Sequence, residues 1–337
     1  MPIRAAALAK RALRFAGRAS LAIPILLLLA WAFGALYYDG PARWLAFVQL
    51  LLAAGVLACV KPRWLKFGVF AAWWLAVLAW WLSLQPARDA DWQPDVARTP
   101  WAEIDGDLVT LHNVRNCDYR TETDYTPRWE TRRVDLSQLT GIDLAINYWG
   151  SPWMAHPIAS FQFADAPPIC FSIETRKRVG QSYSAIGGLY RQFALVYVAA
   201  DERDVLRVRT NFRQGEDVFL YRLKLGRGQA RERFLEYVAA MNGLRDRPRW
   251  YNAVTTNCTT SIRVQRPATG RAPWDWRMLV NGKGDEMLYE RGVLTNDGLP
   301  FARLKERARI NEAARAAGDA LDFSARIRAG RPGMGAP

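Results

Sequence analysis

Three uncharged stretches near the start of the chain restrict its fold more than any other feature. Residues 19–38, 44–60 and 67–87 lack Asp, Glu, Lys and Arg and consist mainly of Leu, Ala, Val, Phe and Trp. Their lengths are close to the ~20 residues that an α-helix needs to cross a bilayer. A cleavable signal peptide is the alternative for the first stretch, but the sequence continues into Trp31 and Tyr37 without a clear small-residue cleavage site. We therefore predict three transmembrane helices.

The positions of Lys and Arg predict how these helices are oriented. Five basic residues precede the first helix and three lie in the second loop, which places both segments in the cytoplasm. The first loop, residues 39–43, holds one acid and one base and is expected to face outward. The remainder of the chain then lies outside the cytoplasm. This pattern predicts a multi-pass protein of the bacterial inner (cytoplasmic) membrane with its C-terminal domain in the periplasm.

Composition divides the chain into four parts. Residues 1–88 form the predicted membrane anchor, and residues 89–104 are a polar linker that contains proline. Residues 105–300 alternate short strand patterns with helical ones, which predicts an extracytoplasmic domain of the α+β class. Residues 301–337 are expected to form a charged helix, rich in Ala and Arg, and a disordered tail.

The net charge of +14 invites a nucleic-acid interpretation that its distribution opposes. Residues 1–88 hold ten Lys or Arg and a single acid, Asp39, so +9 of the charge belongs to the topology signal. A nucleic-acid footprint would have to lie on the folded domain. We predict no nucleic-acid partner, although a mildly basic outer domain tolerates anionic lipid headgroups.

The four cysteines do not form a metal-binding pattern. The sequence has no CxxC pair, no HExxH motif and no histidine cluster, so we expect neither a metal nor another cofactor. Cys59 lies within a predicted helix, where a thiol serves as a small apolar residue. The other three lie in the outer domain, where an oxidising compartment permits disulfides. A bridge between Cys117 and Cys170 would leave Cys258 free, but spacing cannot test that pairing.

A predicted β-hairpin brings a histidine and a glutamate together. One apolar strand begins at His156, a turn follows at residues 164–168, and a second strand ends near Glu174. Counting outward from residue 166 places Glu174 opposite residues 156 to 158. A carboxylate at that position would hold the imidazole ring and favour its charged form. A solvent-facing glutamate beside a neutral histidine is the alternative. Residues 206–213 are expected to form a later strand.

Cys258 has the sequence context of a nucleophile at a helix start. Capping residues surround it, and Thr256 or Asn257 can serve as the N-cap. Free backbone N–H groups and the helix dipole then favour a thiolate, the form that attacks carbonyl carbons. Asn257 and Thr259 are the expected nearby supports of an oxyanion. A cysteine nucleophile needs a base, and the chain offers His112, which is more simply a surface residue, and His156.

The order of these residues, histidine before cysteine, is that of circularly permuted papain-like folds of the NlpC/P60 type. We assign Cys258 as nucleophile, His156 as base and Glu174 as the residue that orients the base. Trp149 and Trp153 flank His156 and are candidates to line an acyl entrance, although ordinary strand-end aromatic roles suit them equally. The remaining candidates for substrate binding are Arg176 and Arg191, which suit a lipid phosphate, and Tyr183.

Several blocks of sequence resemble one known family. They are, in order, residues 172–176, 188–193, 201–204, 220–223 and 250–260, which ends in Asn257-Cys258-Thr259-Thr260. This arrangement resembles the Lnb periplasmic-domain family over roughly residues 105–270. The resemblance implies a papain-like pair of Cys258 and His156 and an association with bacterial lipoprotein N-acylation. The three N-terminal helices and the lack of a membrane segment after the domain depart from the name-giving acyltransferases.

The leading hypothesis is therefore a membrane-anchored, cysteine-dependent acyltransferase. It would act on a membrane phospholipid or a lipoprotein through a thioester on Cys258, with a possible envelope protein as partner. A cell-wall amidase or peptidase would keep the same nucleophile and change the substrate. In a third interpretation the domain is a non-catalytic envelope interaction module and Cys258 is structural.

Overall fold

The computed structural model describes residues 22–335. The described residues form two compact units, one made of residues 22–85 and 184–192 and the other of residues 86–183 and 193–335. The predicted start of the first membrane helix, residues 19–21, lies outside the described residues, as do the basic residues before it.

The first unit contains three apolar helices, and one of them passes the length test for a membrane span. The helices are α1 (Ala22–Tyr38), α2 (Trp44–Cys59) and α3 (Arg63–Ser83). Within residues 22–335, only Trp64–Ser83 is long and apolar enough to cross a bilayer, with a mean hydropathy of 1.6 over its best window. The other two are shorter, so the structure supports one of the three predicted spans, and the multi-pass topology stays a prediction.

The first unit is held together by aromatic side chains and by one carboxylate. Trp31 of α1 packs against Trp74 and Trp81 of α3, with ring centroids 5.5 and 5.4 Å apart. Asp39 accepts hydrogen bonds from Trp81 Nε1 at 2.7 Å, from the backbone N–H of Arg191 at 3.0 Å and from Gln192 Nε2 at 2.7 Å. Asp39, the acid of the first loop, therefore links the segment 184–192 to the helices.

The second unit is built on an eight-stranded sheet. The order is β1-β2-β9-β8-β7-β6-β10, with β5 paired to β2, and every pairing is antiparallel except that of β2 with β9. A separate hairpin is formed by β3 and β4. The strands are β1 (Trp101–Asp105), β2 (Leu108–Arg115), β3 (Asp118–Tyr119), β4 (Tyr125–Thr126), β5 (Trp129–Asp135), β6 (Leu139–Trp149), β7 (Ala155–Phe163), β8 (Ile169–Arg176), β9 (Ala194–Ala200) and β10 (Glu216–Arg222).

Helices pack against the sheet of the second unit, and this mixed composition agrees with the predicted α+β class. They are α4 (Glu202–Val205), α5 (Arg227–Asp246), α6 (Cys258–Val264), α7 (Gly284–Glu290), α8 (Phe301–Ala308), α9 (Asn311–Ala317) and α10 (Phe323–Arg326). A π-helical turn covers Val208–Phe212, and short 3₁₀ turns lie at Pro94–Val96, Leu136–Gln138, Gly187–Leu189 (in the first unit), Ala268–Gly270 and Trp276–Met278.

The segment expected as a strand at residues 206–213 is helical instead. Arg209 Nη1 donates to the carbonyl of Val205 at 2.7 Å, and Thr210 Oγ1 donates to that of Leu206 at 3.1 Å. These local side-chain bonds to preceding carbonyls satisfy backbone acceptors that a strand would offer to a neighbour. The strand prediction for residues 206–213 was wrong because it used only the alternation of apolar and polar residues. That alternation does not show that side chains bond to carbonyl groups of the preceding turn.

Two large apolar clusters pack against the sheet and stabilise it. In one, Phe161 and Phe171 meet Phe234 and Tyr237 of α5 at ring distances of 5.1 to 5.7 Å. The other contains sheet residues such as Val198 together with residues of the C-terminal helices, among them Ile310, Ala314, Phe323 and Ile327, all four fully buried. Complete burial of an Ile or Phe side chain stabilises the fold by about 1.5–3 kcal/mol.

The C-terminal tail is ordered through residue 335, unlike the disordered tail expected from composition. Arg328 donates to Asp143 Oδ2 at 2.8 Å and to both carboxylate oxygens of Glu202, at 2.8 and 2.5 Å. Asp143 also pairs with Arg222. Asp143 and Glu202 are fully buried, so their charges require these partners. We call Asp143, Glu202, Arg222 and Arg328 the tail clasp.

Candidate active site

Cys258 is the first residue of α6, as the sequence predicts. Asn257 is the N-cap: its Oδ1 accepts from the backbone N–H of Thr260, while Thr260 Oγ1 accepts from the backbone N–H of Asn257, both at 2.9 Å. This reciprocal capping box fixes the first turn. The capping hydrogen bonds occupy the side chain of Asn257, so Asn257 positions the thiol of Cys258 and does not itself face a substrate oxyanion. Cys258 is buried, with 5% of its surface exposed.

His156 reaches the site from the hairpin of β7 and β8. Ile158 pairs with Ser172 and Ser160 with Cys170, a register centred on residue 165 rather than 166. Continued outward, it places Glu174 opposite His156, within the predicted range of residues 156 to 158. His156 Nε2 lies 2.6 Å from Ser172 Oγ and 3.3 Å from Glu174 Oε1. The expected neighbourhood of His156 and Glu174 is therefore present, and Ser172 lies between them. Helix α6 contacts both strands.

Glu174 is held by two donors besides the histidine. Ser172 Oγ donates to Glu174 Oε1 at 2.6 Å, and Arg209 Nη2 donates to the same oxygen at 2.7 Å. Arg209 is buried, whereas about a quarter of the Glu174 side chain is exposed. Sequence reasoning missed both partners: Ser172 has no motif of its own, and Arg209 lies in the segment that was expected to be a strand.

The electrostatics of the site keep the histidine charged at neutral pH. Burial by itself lowers the pKa of His156, but the charge of Glu174 and hydrogen bonds to Cys258 and Glu174 outweigh it and raise the pKa to about 9. Burial raises the pKa of Glu174, but His156 and Arg209 outweigh it and hold that pKa well below its ordinary value. A carboxylate and an imidazolium therefore lie side by side, and the imidazole also interacts with the thiol.

Asn281 is a further residue at the thiol that the sequence did not reveal. Its Nδ2 donates to Cys258 Sγ at 3.3 Å, and its Oδ1 accepts from Thr259 Oγ1 at 2.6 Å. The backbone of Asn281 has a φ of +38°, and Gly282 follows it. An Asn-Gly pair signals a turn. That was the one available signal, and it carries no information about the cysteine.

The turn at Asn281 is fixed by close backbone packing. A Cβ added to Gly282 would lie 2.3 Å from the carbonyl carbon of Trp153, so no larger residue fits there without movement. Gly282 also donates to the Trp153 carbonyl at 3.1 Å and accepts from Tyr148 Oη at 3.0 Å. Trp153 thus supports Asn281 through its backbone, and its half-exposed ring packs near Trp276 at 6.3 Å.

The remaining candidates for substrate binding are dispersed. Trp149 is a half-buried strand-end residue of β6, and Tyr183 packs its ring against Tyr251 at 6.3 Å. Arg176 donates to the carbonyls of Val96 and Ala97 at 2.9 and 2.7 Å and stacks on the Trp92 ring. These bonds fasten the segment before β1.

Arg191 and His112 also have structural roles. Arg191 belongs to the first unit, where it stacks on Trp81 at 4.2 Å and donates to the Leu82 carbonyl at 3.3 Å. A lipid-phosphate role for Arg176 or Arg191 has no support in this geometry. His112 stacks on Trp101 at 3.9 Å in the β1–β2 pair, and it has no contact with the thiol.

An apolar cavity of about 340 Å³ lies beside two neighbours of Cys258. Thr259 and Asn281, both neighbours of Cys258, contribute to its wall, and Ile142, Leu144 and Ala159 of β6 and β7 contribute from the sheet. A cavity of this size and lining suits an apolar ligand. Cys59, Cys117, Cys170 and Cys258 are all free thiols. Residues 22–335 contain no group of three or more His, Cys, Asp or Glu that could hold a metal ion.

The fold and the cluster together define a class of protein, an α+β domain that presents a helix-start cysteine to a histidine on a strand. The family model described as the Lnb N-terminal periplasmic domain matches residues 125–282, which supports the resemblance to the Lnb periplasmic-domain family over that segment. His156, Ser172, Glu174, Cys258 and Asn281 all lie within the match. No curated protein and no solved structure matches the chain.

Proposed function

We propose that the protein is a membrane-anchored thiol acyltransferase of the bacterial envelope. The observation that carries the proposal is the position of Cys258, between the imidazolium of His156 and an apolar cavity whose wall includes its neighbours Thr259 and Asn281. A nucleophile needs an activating base, and an acyl substrate needs apolar space.

The first half of the proposed reaction forms a thioester. The Cys258 thiolate attacks the carbonyl carbon of an acyl ester, and the carbonyl oxygen becomes an oxyanion. Asn281 Nδ2, already 3.3 Å from Sγ, and the first N–H groups of α6 donate hydrogen bonds to that oxyanion. His156 then gives its proton to the leaving alkoxide. The products are an alcohol and an acyl group bound to Sγ.

The second half transfers the acyl group to an amine, for which a lipoprotein N-terminus is the proposed acceptor. The now neutral His156 takes a proton from the attacking amine while the nitrogen bonds to the carbonyl carbon. The thiolate leaves, so the imidazolium and thiolate of the starting state return. Glu174 and Ser172 hold the imidazole ring through both halves. The apolar character of the cavity favours this reaction over the cleavage of cell-wall peptides.

Trapping the acyl-enzyme tests the proposal. The full-length protein, in vesicles that contain a phospholipid with a radiolabelled acyl chain, is expected to acquire a hydroxylamine-sensitive label at Cys258. Cys258→Ala should abolish the label, and His156→Ala should reduce it about 100-fold or more. His112→Ala is the matched control and should label normally. Absence of label from the wild-type protein, together with release of cell-wall peptides, would replace the acyltransferase with an amidase.

A further inference from the structure

Five arginines line the apolar cavity beside the thiol. They share the lining with apolar side chains of β6 and β7, and we call them the arginine wall; they are Arg233, Arg263, Arg266, Arg271 and Arg291. Four of the five lie within residues 263–291, after the start of α6, so they were not among the candidates for substrate binding. A purely apolar ligand would offer no hydrogen-bond or charge partner to these guanidinium groups.

Local carboxylates neutralise only part of the arginine wall. Glu236 pairs with Arg233 and, at 3.4 Å, with Arg266, so one acid serves two bases. Asp275 lies 3.4 Å from Arg291 but also pairs with Arg277 at 2.9 Å. The wall therefore carries more positive than negative charge.

Arg263 and Arg271 contribute most to this excess. Arg263 Nε donates to the carbonyl of Ala272 at 3.3 Å, and Arg271 Nε donates to that of Arg266 at 2.9 Å. Among residues 22–335, no carboxylate lies within ion-pair distance of either one. Both side chains are only partly exposed. The carbonyl bonds use the Nε atoms, which leaves the terminal nitrogens of each guanidinium for a ligand.

We propose that the cavity binds an anionic glycerophospholipid, with its phosphate at Arg263 and Arg271 and one acyl chain along the apolar side chains of the sheet. A planar guanidinium matches the geometry of phosphate oxygens, and the two arginines bring one positive charge each. Because Thr259 and Asn281 line the same cavity, an ester bond between headgroup and chain would lie near Sγ. This inference rests on the proposed function and identifies the acyl donor.

Lipid binding by the full-length Cys258→Ala protein tests the inference without any chemistry at the thiol. Native mass spectrometry from a neutral detergent measures retention of phosphatidylglycerol and phosphatidylcholine of equal chain length. We expect retention of phosphatidylglycerol to be at least tenfold stronger. Adding Arg263→Gln and Arg271→Gln should remove that preference. The matched control adds Arg120→Gln and Arg303→Gln, two exposed arginines, and should change retention less than twofold.

In the binding experiment, three outcomes would overturn the inference: equal retention of the two lipids, equal effects of the two double variants, or displacement of phosphatidylglycerol by an equal concentration of inorganic phosphate. The last would identify a site for free phosphate. Failure of the proposed function would look different, because phosphatidylglycerol would still bind selectively while the wild-type protein formed no thioester. Conversely, thioester formation with both lipids at equal rates would keep the acyltransferase and exclude this donor preference.

Discussion

Two of the clusters of buried ionic groups in the second unit differ in which groups surround their charges. In the tail clasp, Asp143 and Glu202 are paired with Arg222 and Arg328, so two acids meet two bases. In the other cluster, Glu174 meets Arg209 and His156, and the histidine continues to Cys258 beside a cavity. Both clusters bury charge, but only the cluster around Glu174 lies next to a nucleophile and a cavity.

The two clusters also differ in whether a proton can move. An arginine does not release its proton in a protein, so the ion pairs of the tail clasp are permanent at any ordinary pH. A histidine with a pKa of about 9 can give up its proton to a leaving group and take it back. A buried ion pair is therefore a poor marker of a functional site, and a buried titratable pair next to a nucleophile is a better one.

The largest expected effect comes from breaking the tail clasp. Arg328→Ala leaves Asp143 and Glu202 buried with one base fewer, and removing one partner of a buried pair costs about 3–5 kcal/mol. We expect this loss in the free energy of unfolding, measured by denaturant titration of the full-length protein. Arg326→Ala, which removes an exposed surface pair with Asp322, should leave the free energy of unfolding nearly unchanged. Similar losses in the two variants would show that the tail clasp does not stabilise the fold.

The next effect is on the reactivity of the thiol. His156→Asn should slow iodoacetamide alkylation of Cys258 about 100-fold at pH 7, because the imidazolium that stabilises the thiolate is lost. The rate is followed at the peptide that contains residue 258 by mass spectrometry, which separates it from the other cysteines. His112→Asn should leave the rate unchanged. If the two histidine variants react alike, Cys258 has no catalytic partner.

A smaller effect is expected on the titration of the histidine. With a folded pKa of about 9 and an unfolded value of ~6.5, protonated His156 stabilises the fold fully below the unfolded value. That contribution is lost as the pH rises through about 9. Glu174→Gln removes the opposite charge and should lower the pKa of His156 by at least about one unit.

The measurement is NMR of a histidine-labelled protein that carries His112→Asn, so that one ring signal remains among the chain's two histidines. The titration midpoint of that signal is compared with and without Glu174→Gln. An unchanged midpoint would mean that Glu174 does not set the charge of His156.

The smallest effect on the reaction is expected from Ser172, which lies between His156 and Glu174. Ser172→Ala removes one hydrogen bond to His156 and one to Glu174, but those two groups are already 3.3 Å apart and can pair directly. A typical hydrogen bond contributes about 0.5–1.5 kcal/mol. We expect a two- to tenfold loss in thioester formation at pH 7, with the thiol alkylation rate nearly unchanged. A loss as large as that of His156→Asn would make Ser172 an essential proton relay.

Local sequence patterns predicted the parts of the site that depend on local structure. The hairpin register placed Glu174 near His156 because a turn fixes the pairing of the strands that flank it. The capping residues placed Cys258 at a helix start for a similar reason. Asn281 and Arg209 reach the site through contacts between segments far apart in the chain, and no local pattern encodes such contacts. Arg176 and Arg191 were chosen by charge alone, and each is used in packing.

The C-terminal tail also depends on contacts with distant segments that local sequence patterns do not reveal. Composition suggested disorder at the C-terminus because charged and small residues dominate there, but Ile327 and Phe323 are fully buried and Arg328 pairs with two buried acids. Disorder is expected where a segment cannot bury apolar surface. Here the partners lie in β6 and α4, more than a hundred residues earlier, so the segment alone gives no indication of them.

The tail clasp makes the stability of the second unit depend on how far translation has proceeded. Arg328 reaches back across 185 residues to Asp143, so strand β6 lacks one of its charge partners until residue 328 has been translated. A polypeptide released early by premature termination would contain Cys258 and His156 but would leave Asp143 and Glu202 without Arg328. Such a product would unfold more readily and be open to proteases. The clasp thus couples synthesis through residue 328 to survival of the reactive thiol.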